Sequence, residues 1–249
     1  TGISSSSSAI TSISDDNYTH TGLTGGTTYY YKVAAVNSAG TGTLSSEVNA
    51  TPYALMGGSI QGKTLSLSTA VTTLAGTAGT AGTTDATGTS ARFNNPYKIT
   101  TDGINLYVAD YSNHTIRKVV ISTGVVTTLA GTAGTSGTTN ATGTSARFNS
   151  PAGLTTDGTN LYVAEVLNHT IRKIVISTGV VTTFVGTAGT SGSSNGIGTS
   201  AKFYKPVGLT MDGTNLYVAD TYNHTIRKVV ISTGVVTTLA GTAGTSGTT

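Results

Sequence analysis

The sequence contains no cysteine and no tryptophan, only four prolines and four phenylalanines, and just 9% charged residues. Each shortage excludes something. Without cysteine there is no disulfide framework, no thiolate metal site and no cysteine nucleophile. Charge stands far below the roughly 25% of an ordinary soluble domain, and Thr, Ser, Gly and Asn fill the positions where Lys and Glu usually sit. The surface is therefore polar but electrostatically quiet. The formal net charge of +3 and pI near 9.0 rest on 13 Lys and Arg spread over 249 residues, too thinly to make a patch for a phosphate backbone. Nucleic acid is not an expected partner. No run of 18 apolar residues occurs, so no membrane insertion is expected. The opening Thr1-Gly2-Ile3 followed by five serines has neither the basic region nor the apolar core of a signal peptide, so an export signal is expected outside this chain.

What the chain has in abundance is repetition. Ala91-Arg92-Phe93 returns as Ala146-Arg147-Phe148 and as Ala201-Lys202-Phe203, a period of 55 residues (146 − 91 = 201 − 146). Residues 105–131 match residues 215–241 at 25 of 27 positions and residues 160–186 at 21 of 27. A period of this size signals a modular array in which no unit buries its apolar faces alone.

Each unit reads as four strands. In the first full copy strand a covers about residues 98–101, and Asp102-Gly103 is a tight-turn signal. Strand b follows at 105–109, a turn at 110–113, strand c at 114–121, a Ser122-Thr123-Gly124 turn and strand d at 125–130. Strands b and c carry apolar residues on both pleat faces, as expected where each unit packs between two others. Four antiparallel strands per unit describe a propeller blade. No segment shows a helical period.

The text NLYVADYSNHTIRKV, with its Asn-His pair at Asn113-His114, Asn168-His169 and Asn223-His224, resembles the NHL repeat. The resemblance covers blades at residues 91–131, 146–186 and 201–241, and residues 57–76 align with the two outer strands of a partial fourth blade. It implies an all-β fold, an NHL-type β-propeller over residues 57–249 whose ring is incomplete here. The full-length protein is expected to continue past Thr249 for at least two more blades. Earlier in the chain, Tyr29, Tyr31, Val33 and Ala35 alternate at period 2, and Ser38-Ala39-Gly40 supplies a turn before a strand near residues 47–51. This resembles the C-terminal half of a fibronectin type III domain. Leu23, Thr27 and Tyr29 match its tyrosine-corner pattern and Val33, Ala35 and Asn37 its next strand, with Gly25 where that family usually has proline. Residues 1–52 are accordingly expected to be a partial β-sandwich and residues 53–56 a linker.

The repeated histidines His114, His169 and His224 are the first suspects for a metal or acid-base site. Strands lie roughly 4.8 Å apart, so at the start of strand c these rings sit about 10 Å further from the propeller axis than strand a and cannot converge on one ion. They are read as caps of the b–c turn that bond the next blade, and neither a metal nor a cofactor is expected. Asp110, Glu165 and Asp220 recur with Arg117, Arg172 and Arg227. They are read as turn-stabilising carboxylates with an arginine packed along its neighbour, against a ring of ion pairs or a basic stripe for RNA. Gly76, Gly79 and Gly82 precede no helix and are read as a flexible connector, not a phosphate cradle. Asn113-His114-Thr115 and Asn140-Ala141-Thr142 match glycosylation acceptors, the first only as the repeat signature.

Propellers that catalyse, lactonases and lyases among them, gather carboxylates, Asn or His around the central channel. The corresponding positions here are Asn94-Asn95, Ser150 and Tyr204-Lys205, without a carboxylate. The copies differ most there, at Tyr97-Lys98, and at Tyr111-Ser112, Val166-Leu167 and Thr221-Tyr222. Strand alternation places the start of strand a, the b–c turn and the long connector on one face of the disc, where loops carry binding residues. The function expected is a non-catalytic binding or scaffold module of a larger, exported, bacterial surface protein. It would recognise a protein or glycan ligand through Tyr97, Tyr111, Ser112, Val166, Leu167, Tyr204, Lys205, Thr221 and Tyr222. The alternatives are a divalent-metal-dependent lyase or lactonase whose site lies in blades absent from this chain, and RNA binding.

Overall fold

The computed structural model describes residues 23, 27–32, 34, 36–37, 40–50 and 71–246. The chain divides into two compact units, Thr1–Ala70 and Val71–Thr249. The composition shift at Pro52, the linker at 53–56 and most of the partial blade at 57–76 lie outside the described residues, as do Val33, Ala35 and Gly25. In the first unit, β1 (Tyr29–Tyr31) pairs antiparallel with β4 (Val48–Ala50), and β2 (Val36–Asn37) with β3 (Gly40–Thr41). Period-2 alternation places Tyr29 and Tyr31 on the half-buried side of β1 and Tyr30 on the exposed one.

The second unit is built from three antiparallel sheets that repeat at the period of the sequence. Blade 1 is β5 (Pro96–Thr101), β6 (Asn105–Asp110), β7 (Thr115–Val120) and β8 (Val126–Ala130). Blade 2 is β9 (Pro151–Thr156), β10 (Asn160–Glu165), β11 (Thr170–Val175) and β12 (Val181–Val185). After the short β13 (Gly196–Ile197), blade 3 is β14 (Pro206–Met211), β15 (Asn215–Asp220), β16 (Thr225–Val230) and β17 (Val235–Ala240). Each sheet runs in chain order from inner to outer strand, and β13 joins the outer edge of blade 3. The described residues are all-β, and the three sheets have the form of β-propeller blades. Among the described residues the only helical pieces are single 3₁₀ turns.

Two boundaries differ from expectation for local reasons. Strand a begins two residues early, at Pro96, Pro151 and Pro206, because proline is tolerated at the first position of a strand, where no ladder donor is needed. Strand c begins after the histidine, not on it. The b–c turn at Tyr111–Asn113 is a 3₁₀ turn closed by His114 at φ 58, a left-handed conformation that cannot continue into a strand.

The cores lie between blades. Tyr107, Ala109 and Ile116 on the front of blade 1 are buried with Leu161 and Val163 on the back of blade 2 and with Phe148 from the connector. The next junction repeats this with Tyr162, Ala164, Ile171, Leu216, Val218 and Phe203. At the inner strands the approach is closest: a Cβ on Gly153 would lie 2.2 Å from the carbonyl oxygen of Val207. Only glycine lets the backbones approach so closely there.

The Gly-Thr connector is a correction to expectation, since it is clamped where flexibility was anticipated. Ahead of blade 1, Gly76 N–H donates to Gly88 O at 3.1 Å, Gly82 N–H to Phe93 O at 3.0 Å and Gly88 N–H to Gly124 O at 2.9 Å, and the same bonds recur ahead of blade 2. Its glycines serve backbone geometry. Gly76, Gly131 and Gly186 take φ near 96–99°, and a side chain at Gly131 would strike His114 O at 2.5 Å.

Candidate functional site

The largest fully buried side chains are three arginines, whose role the expected packing along a neighbour describes only in part. Arg117, Arg172 and Arg227 are almost fully buried and form ion pairs inside their own blades, with Asp110 at 2.9 Å, Glu165 at 3.1 Å and Asp220 at 2.9 Å. A buried charge is stable only when most of its donors are satisfied, and here both Nη groups of each arginine are fully bonded while Nε has no hydrogen-bond partner. In blade 1, Arg117 Nη1 also donates to Arg92 O at 2.8 Å, and Nη2 donates to Thr84 O at 3.0 Å and Asp85 Oδ1 at 2.6 Å. The guanidinium lies 5.0 Å over the Phe93 ring. One arginine thus ties strand c, the b–c turn and the incoming connector together. The carboxylate end is equally occupied: Asp110 accepts from Asn94 N–H at 2.7 Å and from Asn113 Nδ2 at 2.8 Å.

The Asn of each Asn-His pair is structural. Asn113, Asn168 and Asn223 are buried, and each side-chain amide donates to a connector carbonyl, Gly82 O, Gly137 O and Gly192 O, at 2.7 Å. An amide so enclosed is closed to glycosylation in the folded protein. The histidine follows in a left-handed conformation and turns its ring to the neighbouring blade. His114 Nδ1 accepts from Ser150 N–H at 3.1 Å, and His169 Nδ1 from Lys205 N–H at 3.2 Å. Burial holds both imidazoles below their usual pKa, and at His169 the Lys205 ammonium adds to it. Among the described residues no group of three or more His, Asp or Glu is placed to hold a metal ion.

One repeated contact was legible but missed. Asp85, Asn140 and Asn195 recur at the 55-residue period (140 − 85 = 195 − 140). Each side-chain oxygen accepts from the blade's arginine and from the outer-strand residue Thr128, Thr183 or Thr238. The connector's polar letters are anchors, and their spacing alone identifies them.

The variable positions fall together at each blade's inner end. Tyr111 N–H and Ser112 N–H donate to Asn95 O and Asn94 O, so the b–c turn and the start of strand a form one surface. The Tyr97 and Tyr111 rings lie 5.5 Å apart there. Across the next junction Tyr204 lies 5.3 Å from Tyr222 and 5.6 Å from His169, and Lys205 Nζ sits 4.4 Å over the Tyr222 ring. Tyr97, Leu167 and Tyr222 are exposed, whereas Val166 is buried and therefore packs inward instead of offering contact. Asn95, Ser150 and Lys205 all hold φ between 50 and 57°, a left-handed backbone from which the N–H groups of Ser150 and Lys205 reach the preceding blade.

Residues 203–229, within blade 3, match the NHL repeat family model. The matched stretch runs through strands a and b and most of strand c of a four-stranded antiparallel blade, so blade 3 is similar to an NHL repeat in sequence and has the sheet order of a β-propeller blade. NHL repeat-containing protein 2 of Homo sapiens is 33% identical over 144 residues, 54% of this chain and 20% of that protein. The chloroplastic Protein SUPPRESSOR OF QUENCHING 1 of Arabidopsis thaliana is 29% identical over 167 residues, 62% of this chain and 16% of that protein. The chain therefore spans about a fifth of the length of the curated relatives it matches. Among solved structures, an auxiliary nutrient binding protein from Bacteroides ovatus ATCC 8483 is similar with a TM-score of 0.49 at 22% identity, over 61% of this chain and 39% of that one.

Proposed function

We propose that the propeller is a non-catalytic recognition module that binds a protein or glycan ligand through the face bearing the connectors and b–c turns. The observation that carries this is the pairing of aromatic rings at the positions where the copies diverge, Tyr97 with Tyr111 and Tyr204 with Tyr222. Elsewhere the repeats are held nearly identical by buried ion pairs, whereas these side chains are spared that duty. Tyrosine offers a large rigid face and a polar tip, which suits both sugar stacking and protein contact. Lys205 on Tyr222 adds a positive charge to this surface.

The same proposal places the module in a larger exported bacterial surface protein, with residues 1–52 as part of a fibronectin type III-like sandwich. The β1–β4 pairing is compatible with such a sandwich. The test is an array of immobilised oligosaccharides and surface proteins probed with the 249-residue chain, followed by the Tyr97→Ala/Tyr204→Ala/Tyr222→Ala variant on whatever probe is retained. At least a tenfold loss of affinity is expected, since central aromatic anchors contribute about 1–2 kcal/mol or more each. Unchanged binding, or retention of RNA alone with steep salt dependence, would count against this face.

A further inference from the structure

The 55-residue period gives one position on the outer rim of the blades three closely related occupants, Asp85, Asn140 and Asn195. The connector runs along the outer edge of its own blade there. Blade 2 has a neighbour on each side and its Asn140 is exposed all the same, as are Asp85 and Asn195. The three side chains differ in what they hold. The Asp85 carboxylate accepts Arg117 Nη2 at 2.6 Å through Oδ1 and Thr128 N–H at 2.9 Å through Oδ2. An amide has one acceptor oxygen. Asn195 Oδ1 accepts Arg227 Nη2 at 2.9 Å and the Thr238 hydroxyl at 3.3 Å. Among the described residues neither Asn140 nor Asn195 takes the N–H of its outer-strand threonine.

The next residue differs as well. Ala86 and Ala141 follow the first two, whereas Gly196 follows Asn195 in the one Asn-Gly pair of the chain. Attack of the following backbone nitrogen on a side-chain amide is easiest before glycine, which puts no Cβ in the path of approach. The reacting carbonyl is already polarised. Its Oδ1 rests on the Arg227 guanidinium and the Thr238 hydroxyl, the donors that stabilise negative charge on that oxygen when Cγ is attacked. Gly196 belongs to β13, a strand of two residues at a sheet edge. Little structure has to yield for its nitrogen to turn toward Cγ.

We infer that Asn195 is a site of spontaneous deamidation, and that its aspartate product clamps the connector of blade 3 as Asp85 clamps that of blade 1. The Gly196 nitrogen gives up its proton and bonds to Asn195 Cγ, the Cγ–Nδ2 bond breaks, and ammonia leaves a cyclic succinimide. Water then adds to Cγ, the bond from Cγ to the Gly196 nitrogen breaks, that nitrogen regains a proton and a carboxylate remains. Water adding at the main-chain carbonyl instead gives isoaspartate. Its extra backbone methylene throws Gly196 and Ile197 out of register with Val236 and Val235, whereas the aspartate form keeps that register. Aspartate also sets Arg227 between two carboxylates, as Arg117 lies between Asp110 and Asp85. Its second oxygen is available to the Thr238 N–H, completing the set of bonds that Asp85 makes.

The test ages the intact 249-residue chain at mildly alkaline pH and follows acid formation by peptide mass spectrometry. Conversion at Asn195 should outrun that at Asn140 in the same sample by about tenfold or more, with aspartate exceeding isoaspartate. Gly196→Ala, which installs the residue of the other two copies, should slow it to the Asn140 rate. Asn195→Asp should raise the melting temperature by about 1–3 °C, and aged wild type should approach that value. Equal rates at Asn195 and Asn140 would overturn the site. Excess isoaspartate, or a melting temperature unchanged or lowered in Asn195→Asp, would overturn the clamp. A Cβ at Gly196 would meet Ala201 N at 2.9 Å, so Gly196→Ala is the variant at risk of misfolding, and the comparison with Asn140 within one molecule does not depend on it.

Discussion

The imidazole Nδ1 of His114 lies 3.1 Å from the backbone nitrogen of Ser150 and accepts its proton, so blade 1 holds blade 2 through a ring that must be neutral at that atom. Burial keeps His114 and His169 below the usual value of 6.5. In the unfolded chain they titrate near that value and bind protons that the folded state refuses. Stability from these groups is complete above about pH 6.5 and declines as pH falls below it. Melting temperature should therefore drop between pH 7 and pH 5. The double variant His114→Asn/His169→Asn should flatten that drop, because asparagine tolerates the left-handed backbone without titrating.

Arg172→Met should destabilise by about 3–5 kcal/mol in chemical denaturation, since it strands the Glu165 carboxylate in the core. Asp220→Glu should be nearly neutral, within about 1 kcal/mol. Glu165 occupies the equivalent place in blade 2 and accepts the Thr170 hydroxyl at 2.7 Å. The matching Thr225 hydroxyl of blade 3 has no partner, and the longer side chain would reach it.

Gly153→Ala should cost about 1–3 kcal/mol or more by overpacking, because its Cβ meets a backbone oxygen at 2.2 Å. Gly208→Ala should cost less, its Cβ meeting only the Ala219 Cβ at 3.1 Å. Paired denaturation curves would separate them.

The Asp-Gly turns predict a separate acid limb and an alkaline one. Burial alone would raise the Asp102 carboxyl, but donors from Asn105, Tyr107 and Ile104 outweigh it and hold the carboxyl well below 3.8. Its contribution is present above that value and is lost as pH falls beneath it. Burial, aided by the Asp102 contact, pushes the Tyr107 hydroxyl up to about 12. Ultraviolet titration should show at least one tyrosine ionising near that pH, and Asp102→Ala should bring it down.

Much of this was legible in the residues. The 55-residue period, the Asp-Gly and Ser-Thr-Gly turns and the strand order follow from local patterning, and the structure keeps all of them. The ion pair of Arg117 with Asp110 was visible as a recurring pair, but its burial was not, since spacing within one blade does not reveal what covers it. The connector reads as flexible because Gly and Thr have little intrinsic structure, yet Gly82, Thr84 and Gly88 are held by partners 31 to 36 residues away. Val166 varies among the copies and so reads as a surface residue, yet packing turns it inward.

The sequence by itself determined the blade: four strands, their turns and their repetition, because turn chemistry and period-2 alternation act between near neighbours. Tertiary structure alone decided which side chains are spent on holding blades together and which remain free. That depends on what the next blade buries, and a repeated text reads alike whether or not its faces are covered.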